Sequence, residues 1–200
     1  KQLLESDTDP DPIRQFAKWW EEALEARIEE ANAMTLATAS ADGFPSARIV
    51  LLKSFSESGF SFFTNYSSFK GKQLDENPKA CLVFFWKELE RQVRITGLVE
   101  KLDAMANDIY FYSRPADSQV GALTSPQSQV IKNREWLQEK FSQLKKEYQD
   151  KKVDRPDHWG GYLVKPVIIE FWQGQPGRLH DRLQYTLSED GKWKIERLAP

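Results

Sequence analysis

Two hundred residues, 40% hydrophobic and 29% charged, describe one soluble globular domain with a sizeable core, and exclude a disordered chain. The net charge of −2 offers no global attraction for nucleic acid or an anionic membrane, so any anion site must be local. A single cysteine, Cys81, excludes a disulfide framework within the chain, and no apolar run reaches the roughly 20 residues that span a bilayer.

The opening "DTDPDP" is polar and punctuated by proline, so residues 1–11 are expected to be a mobile entry segment, followed by a single domain over residues 12–200. In "PIRQFAKWWEEALEARIEEAN", Ile13, Phe16, Trp20, Leu24 and Ile28 recur at helical spacing, which predicts an amphipathic helix packed on the core, with Pro12 in its first turn. From residue 34 the period changes. "AMTLATAS", "SARIVLLKSF" and "GFSFFTNY" read as strands parted by the turn-forming "ADGFP" and "SESG". A short helix around "KGKQLDEN" ends before Pro78, and "KACLVFFW" and "RQVRITGLVEKL" form a second hairpin, with Cys81 as a small core hydrophobe.

A helical insertion follows at about residues 103–150. It holds "DAMANDIYFYSRP", a brief segment around "SQVGAL", and a helix from Ser125 as cap and Pro126 as first residue through "KKEYQD". "GGYLVKPVIIEFW", "RLHDRLQYTL" and "KWKIERLAP" close the chain as strands, with "SEDG" as a hairpin turn. About seven antiparallel strands with hairpin-length turns predict a mainly β fold with α, a β-barrel or closed sheet carrying helices outside it.

No glycine-rich phosphate loop, zinc-spaced Cys/His cluster or nucleophile elbow is present, so no metal is expected and a nucleotide must be held by side chains and strand backbone. Cations do recur at strand ends. Arg48 and Lys53 flank an apolar strand on opposite faces, so one ligand reaches both only if the strand bulges; otherwise they serve different groups. Tyr110, Arg114 and Ser118, spaced by four, fit either a phosphate or a surface salt-bridge face. Arg178, His180 and Arg182 alternate in "GRLHDR" and share one face if that segment is extended, as a pocket wall or as a solvated edge.

Taken in order, "SARIVLLK", "FFTNYSS.KGKQL", "NPKACLVFFW", "ERQVRITG", "YFYSRP..SQVGA", "SPQSQVI", "WGGYLVKP..IEFWQGQ", "RLHDR" and the closing "ERLAP" resemble the pyridoxine (pyridoxamine) 5′-phosphate oxidase family from about residue 12 to the last proline. The resemblance implies an FMN-binding split β-barrel of antiparallel, Greek-key type that works as a homodimer in the cytoplasm, although the chain starts at Lys1 and is compatible with a trimmed leader. It implies oxidation of pyridoxine 5′-phosphate or pyridoxamine 5′-phosphate to pyridoxal 5′-phosphate by O2, releasing H2O2, and ammonia from the amine.

Carried over position by position, the resemblance assigns FMN to Arg48, Ile49, Val50, Leu51, Phe63, Thr64, Lys70, Gln92, Gln127, Ser128, Trp172 and Arg182, some of them from the other subunit. It assigns the substrate phosphate to Lys53, Tyr110, Arg114 and Ser118, and the substrate ring to Arg178 and His180, the catalytic pair. Phe69 departs from the family, which usually has arginine there; weaker flavin binding, or compensation by Lys72, is the expected consequence. A flavin carrier or reductase of the same fold, and a nucleic-acid-binding barrel, are the rival readings; the paired substrate motifs argue against the first and the net charge against the second.

Overall fold

The computed structural model of the chain describes residues 2–200. Helix α1 (Pro12–Glu25) starts where the Asp11 carboxylate accepts the Ile13 N–H at 2.8 Å, with Pro12 in the turn that lacks intrahelical acceptors. Its buried stripe is Ile13, Phe16, Trp19 and Ala23. Leu24, expected to face inward, is 52% exposed, and the helix ends before Ile28, which packs on the core from the following turn.

The described residues form one antiparallel sheet of nine strands, more than the seven or so expected. They are β1 (Ala33–Ala39), β2 (Pro45–Leu51), β3 (Ser54–Ser56), β4 (Gly59–Asn65), β5 (Lys79–Trp86), β6 (Arg91–Lys101), β7 (Trp159–Gln173), β8 (Asp181–Leu187) and β9 (Trp193–Arg197). The order is β2-β1-β5-β6-β7-β4-β3, with β8 on β7 and β9 on β8. Strand β7 curls it into the expected half-barrel. One edge of β7 pairs with β6, while the other pairs with β4 over residues 159–164 and with β8 over residues 168–173. Between those stretches Pro166, which has no N–H, faces Gly97 at a register slip. A Cβ on Gly97 would stand 2.3 Å from the Lys165 carbonyl oxygen, so only glycine lets the two backbones meet there.

"SARIVLLKSF" is not one strand. After Leu51 the chain leaves β1: the Leu52 N–H donates to Asn32 O at 2.8 Å and the Lys53 N–H to Ser61 O at 2.9 Å. The break re-aims Lys53. Helices α2 (Phe69–Glu76), α3 (Ala104–Ser113), α4 (Ala116–Thr124) and α5 (Arg134–Glu147) lie outside the sheet. The last begins eight residues later than Pro126, the expected start, because Asn133 caps it by accepting the Trp136 N–H at 2.8 Å. Residues 125–133 stay irregular, and Ser128 takes a left-handed φ of 67°.

Phe16 is fully buried at the centre of the main core, with the rings of Phe55, Phe60, Phe84 and Trp86 at 4.9–6.0 Å. A second cluster around Phe111, Val120, Val153 and Trp159 docks α3 and α4 on the end of β7. The entry segment, expected to be mobile, is pinned. Leu3 is buried, its N–H donates to Asp181, and Arg197 reaches Leu3 O, both Glu5 oxygens and Asp181 at 2.8 Å.

Helix α2 approaches the chain closely at Gly71, where a Cβ would stand 2.0 Å from the Tyr66 carbonyl oxygen. Backbone on backbone contact of this kind cannot relax by rotamer change. Gly71→Ala is therefore expected to lower stability by about 1–3 kcal/mol or more, read from the urea midpoint; a loss below about 0.5 kcal/mol would show that α2 shifts freely.

Candidate active site

A cleft of about 790 Å³ opens where β2, the β2–β3 link, β4, the start of α2, the α3–α4 junction and the 125–133 loop converge. The volume is that of a small-molecule site. Arg48, Ile49, Val50, Leu51, Phe63, Thr64, Lys70, Gln127 and Ser128, assigned to the cofactor by resemblance, all line it. So do Lys53, Tyr110, Arg114 and Ser118, assigned to the substrate phosphate.

At one side two cations stand together without an acid. Arg48 donates through Nη1 to Leu36 O at 3.1 Å and to Thr38 Oγ1 at 2.6 Å, and through Nη2 to Ser46 Oγ at 2.8 Å. Gln73 of α2 braces this set, its Oε1 accepting from both hydroxyls at 2.6 Å. Lys70 is 7% exposed and donates to Thr64 Oγ1 at 3.0 Å. Thr64 donates in turn to Gln127 Oε1 at 3.1 Å, which also receives the Asn65 N–H at 3.3 Å. Burial lowers the pKa of Arg48. Burial lowers that of Lys70 as well, and the Arg48 charge lowers it further. A buried and a half-buried cation with only neutral partners are electrostatically incomplete, and an anion completes them.

Phe69, 55% exposed, lines the cleft beside Lys70, whereas Lys72 is exposed on α2 and is not among the lining residues. Compensation by Lys72 is therefore not supported by its position.

At the other side Lys53, Tyr110, Arg114 and Ser118 converge, though not as the spacing predicted. They do not share a helix. Tyr110 lies in the last turn of α3, Arg114 is its extended C-cap, Pro115 breaks the chain, and Ser118 lies in the first turn of α4. The break turns Arg114 inward: burial lowers its pKa, and its Nη1 is buried with no hydrogen-bond partner. No ion pair among the described residues includes Arg48, Lys53, Lys70 or Arg114. Because β2 ends at Leu51, Arg48 and Lys53 reach one cleft from what would have been opposite faces. Trp159 and Pro115 also line it; the tryptophan opens the quoted "WGGYLVKP" but was given no role, and its place beside two glycines was the available sequence signal.

Gln92, Trp172, Arg178, His180 and Arg182 do not line this cleft. Gln92, Trp172 and Arg182 are ladder neighbours across β6, β7 and β8, and the His180 ring lies 4.7 Å from that of Trp172. The common face expected of Arg178, His180 and Arg182 is absent, because β8 starts only at Asp181. Arg178 instead ends a tight turn, Pro176–Arg178, in which Gly177 and Arg178 have φ of 67° and 62°. His180 Nδ1 accepts the Gln175 N–H at 3.1 Å, which leaves the proton of a neutral ring on Nε2. Arg182 donates to the buried Glu170 and to Ala199 O, both at 2.8 Å, and that carboxylate raises its pKa. Trp159 and Trp172 stand near opposite ends of β7.

Two family models match the chain. Residues 20–147 match "Pyridoxamine 5′-phosphate oxidase", and residues 159–200 match "Pyridoxine 5′-phosphate oxidase C-terminal dimerisation region". A pyridoxine/pyridoxamine 5′-phosphate oxidase of Nostoc sp. (strain PCC 7120) is 56% identical over 198 residues, covering 99% of this chain and 92% of that one. The enzyme of the same name from Salinibacter ruber is 55% identical over 201 residues, covering 100% and 94%. Among solved structures, PhzG from Burkholderia lata 383, in complex with tetrahydrophenazine-1-carboxylic acid, superposes with a TM-score of 0.94 at 31% identity, covering 100% of this chain and 98% of that one. A pyridoxamine 5′-phosphate oxidase-related, FMN-binding protein from Nostoc punctiforme shares the fold, at TM-score 0.74 and 17% identity, covering 96% and 100%.

Proposed function

Because the chain belongs to the pyridoxamine 5′-phosphate oxidase family, we propose that it is a homodimeric, FMN-dependent oxidase of pyridoxine 5′-phosphate or pyridoxamine 5′-phosphate that forms pyridoxal 5′-phosphate. The observation that carries this reading is the pairing of two acid-free cation sets on one cleft, Arg48 with Lys70 and Lys53 with Arg114. A phosphorylated cofactor and a phosphorylated substrate require two such sets side by side. The donors fit: Arg48, Lys70, Thr64, Gln127 and Ser128 would hold the FMN phosphate and its chain, with β2 residues Ile49–Leu51 and Phe63 along the ring.

Bound FMN would supply a two-electron acceptor that O2 regenerates with release of H2O2. The protein's own part is placement. Lys53, Arg114, Tyr110 and Ser118 grip the substrate phosphate, far from the carbon that is oxidised, and this remote binding energy fixes the pose of the ring. Arg178 and His180 then contact the ring, with His180 using Nε2, the nitrogen left free by the Gln175 N–H, toward the hydroxyl oxygen on the ring. The alcohol loses two electrons and two protons to give the aldehyde; the amine gives an imine, which water hydrolyses to the aldehyde and ammonia.

A second copy supplies what one chain separates. The β7–β8 turn and the cleft lie at opposite ends of β7, and the segment matched by the dimerisation model, residues 159–200, carries that turn. Ile49 and Phe85, 65% and 61% exposed, offer apolar surface for the partner to cover.

The visible spectrum of the FMN-loaded protein without air tests the reading. Pyridoxine 5′-phosphate is expected to bleach the flavin band, and oxygen to restore it with peroxide. A band that stays unchanged overturns the substrate assignment. Phe69→Arg, which adds a cation beside Lys70, is expected to tighten FMN binding roughly threefold to tenfold at low salt, with most of the gain lost at about 0.5 M salt. Equal FMN dissociation constants for the two proteins at low salt would place the phosphate elsewhere.

A further inference from the structure

Trp159 opens β7, is 6% exposed and walls the cleft. Its ring lies 5.4 Å from that of Phe63 at 17° and 6.1 Å from that of Tyr110 at 13°, while Phe63 and Tyr110 stack at 4.1 Å. Three rings from β4, α3 and β7 thus make one stacked slab with interplanar angles of 13–30°, closed at its edge by Phe111 at 5.1 Å. Both cations of the substrate set lean on it. The Lys53 ammonium is 5.5 Å from the Tyr110 centroid, and the Arg114 guanidinium carbon is 4.7 Å from that of Trp159.

Arginines held in place inside proteins are ordinarily fixed by a carboxylate. The structure contains that solution elsewhere: Arg182 is fixed by Glu170, and Arg91 by Glu22 at 2.6 Å. A carboxylate beside Arg114 would occupy its N–H donors and cancel the charge that an incoming phosphate needs. An aromatic face attracts the cation through its quadrupole yet accepts none of the in-plane N–H bonds. Arg114 shows this arrangement, with a ring under it, no acid partner and a buried Nη1 that donates to nothing in the protein.

We infer that Trp159 is a positioning residue of the substrate site: its ring face holds the Arg114 guanidinium in the cleft wall, in place of an acid, so that the donors of Arg114 remain free for the substrate phosphate. The inference rests on the proposed oxidase reading and deepens it. It also gives a reason for the slab, since Phe63 and Tyr110 fix the ring plane on which the guanidinium rests.

The test compares FMN-loaded Trp159→Leu, Trp159→Phe, Arg114→Ala and the double variant Trp159→Leu/Arg114→Ala. Trp159→Leu is expected to raise KM for pyridoxine 5′-phosphate about 3- to 30-fold, with kcat within about twofold and FMN affinity unmoved, and Trp159→Phe to recover most of the loss. The dissociation constant for pyridoxal 5′-phosphate, titrated by its absorbance, is expected to rise by the same factor. In the Arg114→Ala background the leucine substitution is expected to add nothing. Effects that multiply in the double variant would overturn the inference. So would a phenylalanine variant that loses FMN affinity and thermal stability together with KM, since that pattern marks a purely structural role. A wild-type protein that binds pyridoxal 5′-phosphate but turns nothing over would refute the oxidase reading, and the titration alone would then decide for or against Trp159.

Discussion

Arg48→Met is expected to raise the dissociation constant for FMN by about 30- to 150-fold while leaving the melting temperature of the flavin-free protein within about 2 °C of wild type. The first expectation follows from losing a charge-assisted donor pair to a phosphate, worth about 2–3 kcal/mol, which is roughly one and a half to two orders of magnitude in affinity. The second follows from what Arg48 faces when no anion is bound. Its protein partners are two carbonyls, two hydroxyls and a glutamine oxygen, all neutral, and its charge acts against that of buried Lys70. Removing it takes away neutral hydrogen bonds and a like-charge repulsion together, so the two effects offset in the flavin-free protein. Methionine keeps the apolar stem. The stabilisation that FMN confers on melting should shrink accordingly, because it grows with the logarithm of ligand concentration over Kd. Fluorescence titration of FMN and paired melting curves check both. A change in Kd below about threefold would remove Arg48 from the phosphate site.

The same residue shows how far the chain was legible before its structure. Hydrophobic period and turn chemistry located the hairpins and the helical insertion because those signals are local: "SESG", "KELE" and "SEDG" each specify a reversal from their own residues. A charged Arg48 on an otherwise apolar strand pointed to an anion because charge taken from water needs a partner, although β2 itself is half-exposed. Three features were not local. The end of β2 at Leu51 is imposed by competing acceptors on Asn32 and Ser61, distant in sequence, and only that switch brings Lys53 to the cleft. The period of four in Tyr110, Arg114 and Ser118 was real but crosses Pro115, so the set converges through a helix break rather than along a helix. In "GRLHDR" the alternation misled, since Gly177 and Arg178 in left-handed conformation place a turn where a strand was expected. The motif order of the family resemblance named these residues together, including those whose geometry the spacing read wrongly. The role inferred for Trp159 is absent from that pattern, because it depends on what lies beneath Arg114 and not on what stands next to it in sequence.

Mixing two crippled variants should restore activity. Arg114→Ala removes a cation of the phosphate cradle, and Arg178→Ala removes the ring contact carried by the β7–β8 turn; each alone is expected to lower kcat/KM for pyridoxine 5′-phosphate by about 100-fold or more. In a homodimer whose sites take the cleft from one subunit and the turn from the other, a mixed dimer has one site that receives both substitutions and one that receives neither. Random pairing on co-expression makes about half of the dimers mixed, and half of their sites intact, so about a quarter of wild-type activity returns. Strand β7 sets this separation. Trp159 at one end lines the cleft and Trp172 at the other packs on His180, so a single chain cannot fold the turn onto its own cradle without breaking the strand that pairs with β6 along its length. FMN content separates this outcome from simple refolding, since neither substitution touches Arg48 or Lys70 and both parents should remain yellow. Co-expressed protein that stays at the level of its parents would mean that each site is built from one chain, and the turn would then have to reach the cleft by a rearrangement of β7 and β8.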